Sequence, residues 1–202
     1  MKDITEGKCP FGFTADDGET SGQQASDGET GQRHMGMAKG LARDKLPELV
    51  KEPIAPGADG FPTGRCMCGS ISFQIKRPVE MVFANHDAIS RRRSGGVAMT
   101  VVTRASNTVF NGWGHLVHYP ISSNENACFC RVCGTPVLTY FLAPEPMNGM
   151  AQLSAGALDS TEGLRLAADI STDEKPDFYT FEGDRRSISS EELKQMFAVR
   201  NG

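Results

Sequence analysis

Hydrophobic and polar positions alternate from about residue 61 onward, in short runs separated by glycine, proline and asparagine. The clearest run covers residues 71–75, where an apolar residue at every second position predicts a half-buried strand. Three later runs, rich in β-branched and aromatic residues, predict further strands. They cover residues 97–102, 116–119 and 137–142. The folded part of the chain is therefore predicted to be mainly β.

The first sixty residues have a different pattern. They are rich in Gly, Asp, Glu, Gln and Ser, and the sequence Asp-Gly-Glu-Thr at 17–20 returns at 27–30. Because this segment is so polar, it can bury too little apolar surface to offset the conformational entropy that it would lose on ordering. We therefore expect a polar arm. Residues 35–50 have a helix-forming composition, although Pro47 weakens a helix there.

The end of the chain has the pattern of a short helix. Ser189 and Glu192 have the spacing of a capping box. Three apolar residues then fall on one helical face, namely Leu193, Met196 and Phe197. We therefore predict an arm at 1–60, a domain at 61–186 and a C-terminal helix at 187–202.

Composition limits the classes of function. The 202 residues, 39% of them hydrophobic, suffice for one domain with its own core plus some excess chain. No apolar run reaches the length of a membrane helix, and the start lacks the apolar stretch of a secretory signal, so we expect a cytoplasmic protein. The net charge of -4 argues against a nucleic-acid or membrane-surface partner and favours a small-molecule substrate.

Four of the six cysteines form two closely spaced pairs, Cys66 with Cys68 and Cys130 with Cys133. Without a secretory signal, cysteines indicate thiols or metal ligands before disulfides. Two such pairs supply the four soft ligands that a tetrahedral zinc requires. We therefore predict one structural zinc ion per chain; the alternative is a set of buried free thiols or a disulfide pair.

A glycine follows each cysteine pair, at Gly69 and Gly134. Glycine allows a positive φ, which lets a tight turn bring its backbone amides close to the sulfur atoms. The two remaining cysteines, Cys9 and Cys128, are interpreted as ordinary thiols, because neither has an obviously electropositive setting that would lower its pKa.

The cysteine motifs and their surroundings resemble a known family. The relevant stretches are residues 64–75, 119–123, 129–136, 169–171 and 175–179. Together they resemble the glutathione-dependent formaldehyde-activating enzymes, also known as the centromere-protein-V-like family, over about residues 61–186. The resemblance implies a tent-like, Mss4-like arrangement of antiparallel sheets with two zinc sites, of which the structural one maps onto the four paired cysteines.

The second zinc of that family is catalytic and uses three cysteines spaced CxCxxC, followed by a basic pair and a small-residue turn. This chain has Asn85, Asp87 and Ser90 at those places, while the basic run and the Ser-Gly turn remain. One carboxylate and two weak neutral donors are too few for a tight zinc site. We therefore expect the second zinc to be absent and the active site to be rebuilt without cysteine.

Five residues are candidates for the rebuilt site. His86 and Asp87 have side chains suited to proton transfer, and Arg91 and Arg92 to binding an anionic substrate. Trp113, the single tryptophan, is a candidate pocket wall. The alternative is structural: His86 and Asp87 satisfy a turn, the arginines form a solvated face, and Trp113 packs on the core.

Two functions follow from these observations. In the first, the chain is an enzyme whose family resemblance implies carbon-sulfur lyase or related addition and elimination chemistry, with glutathione as a possible thiol. In the second, the site is lost and the zinc domain is a binding or assembly module, whose polar arm contacts a partner or forms a homo-oligomer. A nucleic-acid function depends on residues 91–93 alone, and the acidic balance opposes it.

Overall fold

The computed structural model describes residues 14–15, 60–143 and 147–198. Within these ranges the chain forms twelve β-strands and two α-helices, which confirms the mainly β prediction. No helix in the described part is long and apolar enough to cross a membrane. The predicted helix at 35–50 and the lone Cys9 lie outside the described residues.

The smaller sheet contains four of the described strands, numbered here along the chain. They are β1 (Thr14–Ala15), β2 (Thr63–Arg65), β3 (Ser72–Ile75) and β6 (Thr108–Asn111). Their order is β1-β6-β3-β2, and β1 is parallel to β6 while the other pairs are antiparallel. The predicted alternation is confirmed in β3, where Phe73 and Ile75 are buried and Ser72 and Gln74 are partly exposed.

The larger sheet contains the other eight described strands. They are β4 (Met81–Asn85), β5 (Ala98–Arg104), β7 (Leu116–Ser122), β8 (Glu125–Cys130), β9 (Pro136–Phe141), β10 (Met150–Ser154), β11 (Arg165–Ile170) and β12 (Arg186–Ile188). Their order is β12-β11-β4-β5-β10-β9-β8-β7. The three strands predicted at 97–102, 116–119 and 137–142 coincide with β5, β7 and β9.

Most strand pairs are antiparallel, as predicted, but β11 is parallel to both β4 and β12. The parallel pairing places the end of β11 beside the end of β4. Apolar side chains from both sheets form one core, including Phe73, Phe110, Val101 and Leu138. Because strand faces that meet in this way bury both apolar surfaces, the two sheets stabilise each other.

A seven-residue helix, α1 (Ala88–Ser94), follows β4. It begins after Asp87, whose carboxylate accepts a hydrogen bond from the backbone N–H of Ser90 at 2.9 Å. It ends at Gly95, which has a φ of 75°. The sequence pattern did not predict this helix, because none of its residues is buried and it therefore has no apolar stripe.

The predicted C-terminal helix is present as α2 (Ser190–Ala198). The Ser189 N–H donates to the Glu192 carboxylate at 2.7 Å, and the Glu192 N–H donates to the Ser189 hydroxyl at 3.2 Å. These reciprocal bonds confirm the capping box. The helix start is also tied to the domain, since the N–H of Ser190 donates to Asp173 at 2.7 Å.

Candidate functional site

The four paired cysteines meet where the two sheets come together. Cys66 and Cys68 lie in the turn between β2 and β3. Cys130 is the last residue of β8, and Cys133 lies in the turn between β8 and β9. Their four Sγ atoms all lie within 4.8 Å of one another. The turns contain Gly69 and Gly134, and both have a φ of 76°, as the sequence predicted.

The spacing of the sulfur atoms fits a tetrahedral metal ion. Sγ of Cys68 lies 3.5 Å from Sγ of Cys66 and 3.8 Å from Sγ of Cys130. Four sulfurs at about 2.3 Å from a central ion would stand about 3.8 Å apart in a tetrahedron. The described cysteines are free thiols rather than disulfides, so all four sulfurs are available as ligands.

The pKa values of the clustered cysteines also favour a bound cation. Burial raises the pKa of the Cys66 thiol to about 12, and the neighbouring cysteines contribute to the shift. Burial opposes a charge on Cys133 too, but hydrogen bonds from Thr135 and Cys68 together outweigh it and lower the pKa of Cys133 to about 6. Four thiolates this close are unfavourable without a positive ion between them. The cluster is therefore a candidate metal site. An ion there would have four protein ligands and no open coordination position, and its binding would stabilise the fold.

The three residues in place of the family's second cysteine set do not fit a second metal. The Asn85 amide donates to the carbonyl of Ala98 at 3.2 Å and to the Thr100 hydroxyl at 3.0 Å. The Asp87 carboxylate caps α1 through the N–H of Ser90. The side chains of Asn85 and Asp87 are thus engaged in local structure, and the three residues together offer one anionic group.

His86 is fully buried and belongs to a chain of side-chain hydrogen bonds. Its Nε2 lies 3.0 Å from Oδ1 of Asp169, and its Nδ1 lies 2.6 Å from the hydroxyl of Tyr179. The other carboxylate oxygen of Asp169 accepts from Nε of Arg185 at 2.7 Å. Because an ionised Asp169 accepts only, Nε2 carries a hydrogen, and in the neutral imidazole Nδ1 therefore accepts from the Tyr179 hydroxyl.

The electrostatics of this chain keep the proton on Tyr179 and the charge on Asp169. Burial opposes the Asp169 charge, but the hydrogen bonds from His86 and Arg185 outweigh it and lower the pKa of the carboxyl. The pKa of Tyr179 is raised, first by burial. At neutral pH the hydroxyl therefore remains a hydrogen-bond donor.

Tyr179 lies in the wall of an open cavity of about 630 Å³ beside α1. Arg91 and Arg92, the predicted anion-binding residues, line the same cavity. Nε of Arg91 donates to the backbone carbonyl of His86 at 2.8 Å, which fixes the arginine next to the hydrogen-bond chain. Phe178, 86% exposed, also lines the cavity. The arrangement combines positive charge, aromatic surface and one positioned hydroxyl.

The other three candidates do not line this cavity: His86 is connected to it only through its hydrogen bond with Tyr179, and Asp87 and Trp113 have structural roles. Asp87 is the N-cap of α1 and does not contact His86 through a described hydrogen bond. Trp113 packs against Phe110, with ring centroids 5.7 Å apart, and against His118 at 5.4 Å. His118 in turn lies 3.4 Å from Sγ of the buried Cys128, which is not one of the four clustered cysteines.

Sequence reasoning missed Asp169, Tyr179 and Arg185 as members of the site. They lie 83, 93 and 99 positions after His86, so no local spacing links them. The available signal was the stretch from 169 to 179, which already resembled the end of the family's domain but had no role assigned.

A search of curated proteins found no match. A crystal structure of a Rhodobacter sphaeroides protein has 21% identity and a TM-score of 0.39, and the match covers 51% of this chain and 90% of that one. The family model of the glutathione-dependent formaldehyde-activating enzyme matches residues 61–174, more than half of the chain. Both cysteine pairs and His86 fall inside this range, and the chain belongs to the glutathione-dependent formaldehyde-activating enzyme family.

Proposed function

We propose that the chain is a zinc-containing enzyme that acts on a small anionic molecule in the cavity beside α1. The reaction class is carbon-sulfur lyase or related addition and elimination at a carbonyl or thiol adduct. The observation that carries the proposal is the hydrogen-bond chain from Asp169 through His86 to the Tyr179 hydroxyl, which ends in a cavity lined by two arginines.

The chain of hydrogen bonds suits a proton relay. In the elimination direction, Tyr179 takes the hydroxyl proton of a thiol-aldehyde adduct while its own proton passes to Nδ1 of His86. A carbon-oxygen double bond forms, the carbon-sulfur bond breaks, and its electron pair leaves with the sulfur. The proton on His86 then returns through Tyr179 to the thiolate, and Asp169 stabilises the transient imidazolium.

The arginines supply binding rather than proton transfer. Arg91 is held by the carbonyl of His86, and Arg92 is exposed at the same cavity. A carboxylate on the substrate would form charge-assisted hydrogen bonds with them, which orients the adduct towards Tyr179. Asp87 and Trp113 retain their sequence-based candidate roles in proton transfer and substrate contact, but the relay described here does not use them.

Zinc is the proposed ion of the four-cysteine site, with one ion per chain. Four thiolates in a tetrahedron are the ligand set that structural zinc prefers, and a closed set leaves no open position for a substrate. The free thiols also favour a reducing compartment such as the cytoplasm.

The test uses the full-length protein with glutathione and formaldehyde, whose adduct exchange is followed by NMR. We expect the wild-type protein to accelerate exchange, and Tyr179→Phe to lower the rate by about 10²-fold, the range of a lost general acid-base group. Tyr119→Phe is the matched control, because Tyr119 is an exposed tyrosine on β7.

Each failure has a distinct meaning in this experiment. Without acceleration by the wild-type protein, the lyase proposal fails for this thiol and aldehyde. Full activity in Tyr179→Phe would remove the relay from the mechanism, whatever the reaction.

A second candidate function is assembly through the N-terminal arm. The supporting observation is that Thr14–Ala15, in the predicted arm, forms the edge strand β1 of the small sheet, and the outer side of an edge strand is a template for pairing with a second chain. Light scattering of the full chain, combined with limited proteolysis, tests it. A mass above one chain together with a protected arm supports assembly, while a monomer with a readily cleaved arm contradicts it.

A further inference from the structure

Phe178 is the most exposed of the large hydrophobic residues that the structure describes, with 86% of its surface accessible to solvent. A single exposed apolar side chain is ordinary on a protein surface. This one, however, lies in the wall of the cavity beside α1 together with Val97, Pro176 and Phe181, so it belongs to an apolar patch within a concave site. Such patches are typical of ligand-binding sites, and the proton relay through Tyr179 makes no use of Phe178.

Three aromatic rings line this side of the cavity and contact one another. The ring centroids of Phe178 and Tyr179 lie 5.2 Å apart, and those of Tyr179 and Phe181 lie 5.7 Å apart. Tyr179 is held by its hydrogen bond to His86 at 2.6 Å. Phe181 is held through its backbone carbonyl, which accepts from Arg185 at 2.7 Å. The protein's own contacts therefore fix two of the three rings, which lowers the conformational entropy lost when a ligand packs on this wall.

The charged residues of the cavity wall, Arg91 and Arg92, are both arginines, and no acidic side chain is found among the described lining residues. Arg92 is exposed, so its guanidinium is open to solvent, and it forms no ion pair with another described residue. A guanidinium group can bind a carboxylate through two parallel hydrogen bonds, and its flat face also stacks on aromatic rings. The wall therefore matches a ligand that carries both a carboxylate and an aromatic ring.

We propose that this cavity binds an aromatic carboxylate, whose ring packs on Phe178 and whose carboxylate accepts hydrogen bonds from Arg92. The volume of about 630 Å³ lies inside the usual range for ligand pockets and leaves room for a substituted ring. As a statement about the substrate, the inference rests on the proposed function, because it makes the anionic molecule of that reaction an aromatic one. Binding itself can be measured without any reaction.

Fluorine-19 NMR with the whole chain tests the proposal, with 4-fluorobenzoate as the reporter ligand and other compounds as competitors. Benzoate should displace the reporter about two- to tenfold more effectively than cyclohexanecarboxylate, which has the same charge and a similar size but no aromatic ring. Benzyl alcohol, which has the ring without the charge, should be weaker than benzoate by about tenfold or more. Phe178→Leu keeps an apolar side chain and should remove the preference for benzoate over cyclohexanecarboxylate. Arg92→Gln should weaken the binding of both carboxylates about tenfold.

The matched controls are Tyr119→Leu and Arg77→Gln, which change an exposed aromatic residue and an exposed arginine that do not line the cavity. Both variants should bind the three competitors as the wild-type protein does. Equal displacement by benzoate and cyclohexanecarboxylate, a preference for benzoate that survives in Phe178→Leu, or full benzoate affinity in Arg92→Gln would overturn the proposal. The samples contain no thiol and no aldehyde, so these results are independent of the adduct-exchange rate. Benzoate binding without adduct exchange would refute the proposed reaction alone, and exchange without benzoate binding would refute the aromatic site alone.

Discussion

His86 has no exposed surface, and its burial determines which substitutions can test the site. Replacing it with alanine would open a cavity and remove a hydrogen bond from the buried Asp169 carboxylate, so loss of activity could follow from loss of stability. Tyr179→Phe removes one hydroxyl and keeps the ring that packs near His86 and Phe181. The tyrosine is therefore the informative position for the relay.

Asp169 should contribute stability that depends on pH. Its pKa in the folded protein is lowered below the unfolded value of about 3.9, so this contribution is present above about pH 4 and is lost as the pH falls through the folded pKa. We expect Asp169→Asn to lower the free energy of unfolding by about 3 kcal/mol at pH 7, since Arg185 loses a buried partner. Urea unfolding at pH 7, 5 and 3 should show the gap shrinking at the lowest pH.

The exposed Asp177→Asn is the control and should match the wild-type protein throughout. A wild-type advantage over Asp169→Asn that stays constant down to pH 3 would contradict the assigned ionisation.

The sequence could identify His86 as a proton-transfer candidate but not its partner. Asp87 is adjacent in sequence, whereas the hydrogen-bonded carboxylate belongs to Asp169 on β11. That contact depends on the parallel register of β4 and β11, in which Ala84 faces Asp169 and Asn85 faces Ile170. The register of two strands this far apart in the chain cannot be predicted from any short stretch of the sequence.

At the scale of elements, predictability follows the strength of the local pattern. The regular alternation of β3 and the capping box of α2 could both be predicted from the sequence, because each depends on residues only a few positions apart. Helix α1 could not be predicted in this way, since it is stabilised at its two ends rather than by an apolar face. Two arginines of this helix, Arg91 and Arg92, line the cavity beside Tyr179.

The cap of α1 gives a prediction that separates two roles of Asp87. Asp87→Ala removes the acceptor for the Ser90 N–H and should lower the free energy of unfolding by about 1 kcal/mol. Asp87→Asn keeps a capping oxygen and should be close to wild type in urea unfolding. Its adduct-exchange rate then decides the chemistry: a stable but inactive Asp87→Asn would place this carboxylate in proton transfer. Unchanged stability in Asp87→Ala would contradict the capping role.

At the scale of the whole molecule, the two sheets share a core and also share the cysteine cluster. The cluster could be predicted because each cysteine pair is a local motif with a known chemical preference. The strand order of the larger sheet could not, because β11 and β12 join it beside β4 after the chain has completed the other strands. A metal ion at the cluster would connect the β2–β3 turn to the β8–β9 turn, and so one sheet to the other.

Removing the metal should therefore affect the whole domain. Structural zinc sites supply about 10–16 kcal/mol in model peptides, while a whole domain is stable by about 5–15 kcal/mol, so loss of the ion should abolish the cooperative transition. Metal analysis should find one zinc per chain in the wild-type protein and little zinc in Cys130→Ser. The control variant Cys128→Ser should also bind one zinc, because Cys128 is not part of the cluster. Circular dichroism after chelation should show a lost or strongly lowered melting transition that returns with added zinc. A metal-free protein that melts like the untreated one, or a Cys128→Ser variant that loses the ion as Cys130→Ser does, would show that this cluster does not hold the sheets together.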